Sequence, residues 1–242
     1  MSGLIQIAGV KDLADAWNIL AAGVNLVGFP LGLSVHPQDI SCDQAATIID
    51  KLHLGGSAVV ITYLQKADEI SKLCRRIGVS KVQLHGEPPV PQIERLRSKD
   101  ASLFLIKSLI VRDGNLPELI DRMNQYAPFV DAFITDSFDP STGACGATGK
   151  THDWSISRRL VESSPRPVIL AGGLTPANVK QAVLRVGPAG VDVHTGVEAP
   201  DGRKDPLLLN SFVTAAKRAF AALRKNQFAS STQDRIPGKK VS

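Results

Sequence analysis

The stretch FITDSFDPSTGACGATGKTHDW gathers the residues best suited to chemistry in this 242-residue chain. Asp136 closes the apolar run AFIT, and a carboxyl at a strand end can give or take a proton. The glycine-rich loop behind it, with Gly149 in GATGK, is long enough to fold over a ligand, and Cys145 lies within it. A second run, KVQLHGE, ends in Gln83 and His85; a histidine there contacts a ligand or serves as hydrogen-bonded scaffold. Lys107 ends a third, LFLIK. Were its stem inside a barrel, desolvation could lower its pKa enough for Schiff-base chemistry; otherwise it pairs with a carboxylate or phosphate. Two further loops carry glycine where backbone N–H groups could reach an anion. These are AGGLTPANV, with Gly172 and Gly173, and HTGVE, with Thr195 and Gly196. A following helix N-terminus would add the positive end of its dipole, with Thr175 or Asn178 as its cap. No His/Cys/Asp group has metal-ligand spacing and no GxSxG elbow occurs, so no metal is expected.

These residues need a scaffold that brings separate strand ends together. Eight short aliphatic runs recur at 4–7, 26–29, 58–61, 81–84, 103–106, 132–135, 167–170 and 190–193. Each is followed by a turn and a segment of helical spacing. In KADEISKLCRRI, Ile70, Leu73, Cys74 and Ile77 fall at i, i+3, i+4 and i+7, one buried helical face. Eight strand-helix units predict an α/β fold, a single (β/α)8 TIM barrel whose chemistry sits at the strands' C-terminal ends. A doubly wound open sheet shares the alternation, but no GxGxxG follows the first run. The barrel is expected over 1–224, and the polar, aperiodic 225–242 is expected to be a disordered tail.

Composition sets the outer limits. Hydrophobic residues make up 43% and aromatic ones 5%, which suits a core of Leu, Ile, Val and Ala under a parallel sheet. The net charge of +5 and pI near 9.2 would permit nucleic-acid or membrane contact. Yet Lys and Arg are spread along the chain with no aromatic-interleaved basic motif. A positive field suits an anionic small molecule equally. Three scattered cysteines, Cys42, Cys74 and Cys145, point to a reducing compartment. The apolar stretch 15–35 is broken by Asn18, Gly23, Asn25, Gly28 and Pro30, against a membrane span. The expectation is a cytoplasmic protein with no nucleic-acid or membrane partner, its oligomeric state open.

The pieces VQLHGE (82–87), IKS (106–108), TDS (135–137), GATGKTHDW (146–154), ILAGGLTPANV (169–179) and VDVHTGVEAPDGRKD (191–205) come in an informative order. In that order and spacing the chain resembles the phosphoribosylanthranilate isomerases of tryptophan biosynthesis over nearly the whole barrel. The resemblance implies an Amadori rearrangement of a phosphoribosyl amine, without metal or cofactor. An acid protonates the furanose oxygen, the ring opens to a Schiff base, and a base removes the C2 proton. It makes Asp136 the acid, and Gly173 and Gly196 with neighbouring N–H groups the phosphate cradle. The expected ligand is therefore a phosphorylated pentose.

Two positions depart from the pattern. Family members open with Lys-Ile-Cys-Gly, whose cysteine is the base; here the stretch is Gln6-Ile7-Ala8-Gly9. The family's Ser-Pro-Arg, whose arginine meets the anthranilate carboxylate, is here Ser34-Val35-His36. Losing a general base typically costs ~10²–10⁴ in rate. An altered substrate is therefore expected, with His36 as a candidate base, since its unperturbed pKa is near ~6.5. Two alternatives stand beside this one: a lyase-type cleavage through Lys107, and a non-catalytic sugar-phosphate-binding protein.

Overall fold

The computed structural model describes residues 3–33, 38–139, 144–145 and 151–233. Eight parallel strands form the wall: β1 (Leu4–Ala8), β2 (Leu26–Pro30), β3 (Ala58–Thr62), β4 (Lys81–Leu84), β5 (Phe104–Val111), β6 (Ala132–Asp139), β8 (Val168–Leu170) and β9 (Gly190–Val193). A two-residue strand, β7 (Ala144–Cys145), pairs antiparallel with the end of β6. Neighbours pair in chain order, β5 pairs with β6, and β9 pairs with β1, so the ring closes. Closure leaves no sheet edge, and the (β/α)8 barrel expected from the eight runs is the fold.

The helices are α1 (Leu13–Ala21), α2 (Cys42–Lys51), α3 (Ala67–Ile77), α4 (Val90–Lys99), α5 (Leu116–Tyr126), α6 (Trp154–Ser163), α7 (Val179–Val186) and α8 (Pro206–Gln233). Local chemistry sets their ends. Asp12 caps α1 by accepting from the Asp15 N–H. Ser41 and Gln44 form a reciprocal capping box on α2. Helix α3 buries Ile70, Leu73, Cys74 and Ile77 as its spacing predicts, and stops at Gly78 in the left-handed conformation. Helix α8 continues to Gln233, past the barrel boundary expected at 224, and residues 234–242 lie outside the described residues. Among the described residues no helix is long and apolar enough to cross a membrane.

Strand side chains alternate between the two faces of the wall. Ile5, Ile7, Val27, Phe29, Val82, Leu84, Leu105, Val191 and Val193 face outward into the main core, packed against helix residues such as Ile70, Leu160 and Phe212. Leu26, Val59, Ile106, Ala132, Ile134, Ile169 and Ala171 form a separate plug inside the ring. Two residues further along several strands, the same inward face turns polar at Ser108 and Asp136; Gln6, Gln83 and Asp192 share it. The barrel is thus aliphatic at its base and polar at the mouth. That change places the chemistry.

Candidate active site

Asp136 sits in β6 two residues beyond Ile134 of the interior plug, so its carboxyl faces the barrel mouth. Its Oδ1 accepts a 2.8 Å hydrogen bond from the Ser137 N–H. Burial pushes the carboxyl above its ordinary range, against the pull of His85 and the Ser137 N–H. A carboxyl that keeps its proton to higher pH is suited to act as an acid.

A hydrogen-bonded network links the mouth ends of β1, β4 and β5. Gln6 Nε2 donates to Gln83 Oε1 at 2.9 Å, and Gln83 Nε2 to Ser108 Oγ at 3.4 Å. His85 Nδ1 lies 3.1 Å from the same Ser108 oxygen, and its ring meets Tyr63 edge-on. Gln83 and His85 therefore stand at the mouth as expected, held in place by β1, β4 and β5. Ala8, two residues after Gln6 at the end of β1, gives that position only a methyl group.

Asp192 completes the polar layer. It lies on β9 between the outward-facing Val191 and Val193, and is buried. Burial first, then the charge of Asp136, push its carboxyl up to about 7, while Gln6, Lys204 and its own backbone surroundings pull the other way. Sequence reasoning assigned no role to Asp192. The signal was an acid inside the otherwise apolar GVDV, which strand periodicity alone does not interpret.

The two glycine loops meet beside Asp136. Gly172 and Gly173 both have positive φ, the conformation that favours glycine. A Cβ on Gly172 would also fall 3.0 Å from His152 Nδ1 and 3.1 Å from the Ser137 nitrogen. Asn178 laces this loop: its Oδ1 accepts from the Thr175 N–H and its Nδ2 donates to the Gly173 carbonyl. It stands at the N-cap of α7, yet its side chain serves the loop rather than the helix. The second loop forms a short 3₁₀ turn, Thr195–Val197. There a Cβ on Gly196 would overlap the Leu174 carbonyl oxygen, so only glycine lets the loops approach this closely. The EAPDGRKD segment anchors the second loop. Lys204 donates to Glu198 at 2.6 Å and to the His194 carbonyl at 3.1 Å, and its own N–H reaches Asp15 of α1.

Lys107 requires a correction. It shares the outward face of β5 with Leu105 and Leu109, whereas Ile106 and Ser108 face inward. Its ammonium donates to the Ser108 carbonyl, lies 3.6 Å from Glu87 and sits 5.5 Å above the Tyr126 ring of α5. Burial pushes its pKa down to about 8, with Glu87 opposing. The amine is desolvated, but between sheet and helix and not in the barrel interior. His36 and Gly149 lie outside the described residues, as does most of the loop around Cys145. His152, at the end of that loop, was not singled out from sequence. It is neutral at ordinary pH because burial pushes its pKa down to about 4. Its Nε2 lies 2.6 Å from Ser157, while its Nδ1 has no partner among the described residues.

The family model for N-(5′-phosphoribosyl)anthranilate isomerase matches residues 5–215 of the chain. The N-(5′-phosphoribosyl)anthranilate isomerase 2 of Methanosarcina mazei is 38% identical over 221 residues, covering 91% of this chain and 96% of that protein. The crystal structure of phosphoribosyl anthranilate isomerase from Thermotoga maritima superposes with a TM-score of 0.75 at 28% identity, covering 90% of this chain and 99% of that one. A structure of such an isomerase in complex with reduced 1-(o-carboxyphenylamino)-1-deoxyribulose 5-phosphate superposes with a TM-score of 0.72 at 27% identity, with the same coverage.

Proposed function

Because the chain belongs to the N-(5′-phosphoribosyl)anthranilate isomerase family, we propose that it rearranges a phosphoribosyl amine into the corresponding 1-amino-1-deoxyribulose phosphate, with Asp136 as the ring-opening acid. The observation that carries this reading is the buried Asp136 carboxyl, raised in pKa and aimed into a mouth ringed by polar side chains.

In this reading the substrate phosphate lies against the backbone of Gly172, Gly173, Thr195 and Gly196; Gly172 and Gly173 have positive φ, and a Cβ on Gly172 or Gly196 would crowd neighbouring atoms. Gln83 and His85, fixed through Ser108, contact the sugar hydroxyls. Asp136 gives its proton to the furanose oxygen as the C1–O bond breaks, and the amine nitrogen supplies the electron pair of the new C1=N bond. Loss of the C2 proton then yields the enolamine, which tautomerises to the ketone. A phosphorylated pentose carrying an aromatic amine, the ligand type of the related structure, is the substrate class we assign, and the cytoplasm is its setting. The lyase alternative through Lys107 loses its geometric basis, since that amine is outside the barrel interior.

The test follows the fluorescence of phosphoribosylanthranilate, which falls on rearrangement. The native chain is expected to turn it over. Asp136→Asn, which keeps the shape of the side chain, is expected to lose ~10²–10⁴ in kcat. Equal rates for the two proteins would remove Asp136 from the reaction. Binding of the reduced ribulose phosphate analogue with no turnover would favour the non-catalytic reading.

A further inference from the structure

The rearrangement needs a base as well as an acid, and Ala8 supplies none. Among the described residues at the mouth, Asp192 has the required placement. It is 7% exposed, and its Oδ1 has no hydrogen-bond partner among the described residues. Gln6, opposite it in the β1–β9 register, also holds a buried oxygen with no hydrogen-bond partner among the described residues. Two adjacent unpartnered acceptors facing into a barrel mouth mark a place where a ligand's donors or protons belong. Register relates this place to Asp136. Ile134 pairs with Ile169 and Leu170 with Val191, so the row continues from Asp136 through Ala171 to Asp192. Between the two carboxyls the wall carries only the methyl of Ala171. Their charges interact, so the charged form of one disfavours that of the other.

We propose that Asp192 is the general base that removes the C2 proton in this chain, working with Asp136 across the methyl of Ala171. The inference rests on the isomerase reading above and deepens it. After Asp136 has protonated the ring oxygen, the Asp192 carboxylate takes the C2 proton. The C2–H electron pair forms C1=C2, and the C=N π pair returns to nitrogen. Delivery of that proton from Asp192 to C1, with loss of the enol proton to Asp136, gives the ketone and leaves both carboxyls as they began. The rival group is His194, whose ring lies against Gly9 beside Ala8. Its Nε2 is 3.4 Å from Glu198, in the network that anchors the second loop.

The experiment uses the full chain and phosphoribosylanthranilate, with circular dichroism to check folding and binding of the reduced ribulose phosphate analogue as a second readout. Asp192→Asn is expected to lose ~10²–10⁴ in kcat while binding the analogue within about threefold of native. Adding Ala8→Cys to that variant is expected to restore turnover at least tenfold, a rescue that a purely structural role would not allow. Should Asp192→Asn misfold, Asp192→Glu is expected to fold and keep measurable turnover. Asp192→Asn within about threefold of native turnover, or loss of analogue binding without rescue, would overturn the proposal. So would Asp192→Glu folding without measurable turnover, or His194→Ala alone abolishing turnover. If the native chain neither turns over the substrate nor binds the analogue, the isomerase reading fails and this inference with it. If the native chain is active and only the variant pattern departs from expectation, the base assignment alone is wrong.

Discussion

Asp136 and Asp192 are the same residue type, and both are held above the ordinary carboxyl range chiefly by burial. Because the folded state holds the Asp192 proton at pH values where the unfolded chain has released it, its contribution favours folding at low pH. That contribution is fully present below the ordinary value of 3.8 and is lost as pH rises toward about 7. The expected result is a stability difference, native minus Asp192→Asn, that falls between pH 4 and 7 by up to ~1.4 kcal/mol per pH unit. Urea titration across that range measures it, and a flat or rising difference would mean the carboxyl is ionised in the folded protein. The place of Asp136 at the barrel mouth was legible because an acid ending an apolar run stands out. That of Asp192 was not, because its burial and its nearness to Asp136 come from strand packing that no single segment records.

The strand-to-loop junctions are the elements that decide this site. Gly196→Ala would drive a methyl into the Leu174 carbonyl and separate the two glycine loops. It is expected to destabilise the fold by ~1–3 kcal/mol, read by urea unfolding, and to raise KM for the phosphorylated substrate more than it lowers kcat. On β5 the outcome is the reverse. Lys107→Met acts on the face toward α5, so turnover is expected to stay within about threefold of native, and borohydride is expected to trap no adduct at this lysine. A trapped adduct at Lys107 would reopen the lyase alternative. The face of Lys107 was hidden from sequence because FLIKSLIV is apolar on both sides. Its alternation gives the period of the strand without saying which side is the barrel.

For the molecule as a whole, the closed ring is the unit of stability. The buried apolar side chains of α8 include Leu209, Phe212, Val213 and Phe220, all before the expected boundary at 224. A chain ending at Asn226 keeps all of these buried side chains and is therefore expected to unfold within a few degrees of the full chain, a change of about 0.5 kcal/mol or less, and to keep its turnover. Thermal melts and the fluorescence assay check both. A large drop in the melting temperature would place 227–242 in the folded unit. The net charge of +5 is spread along the chain and gathers only in the tail, at GKK, and a modest positive field suits attraction of a phosphorylated ligand.

The order of the chain's motifs by itself determined the barrel, the two glycine loops and the family, because each depends on local periodicity and spacing along one strand-helix unit. It also marked Ala8 as a strand end with only a methyl group, where the resemblance implies a cysteine. Only the tertiary structure decided which faces of the strands meet. Parallel pairing of β6 with β8 and of β8 with β9, in a sheet that ring closure curls inward, puts residues 136 and 192, far apart in the chain, in one polar layer. The same closure turns Lys107 outward. Pairing across strands is set by hydrogen-bond register and barrel curvature, and neither is written in any single segment.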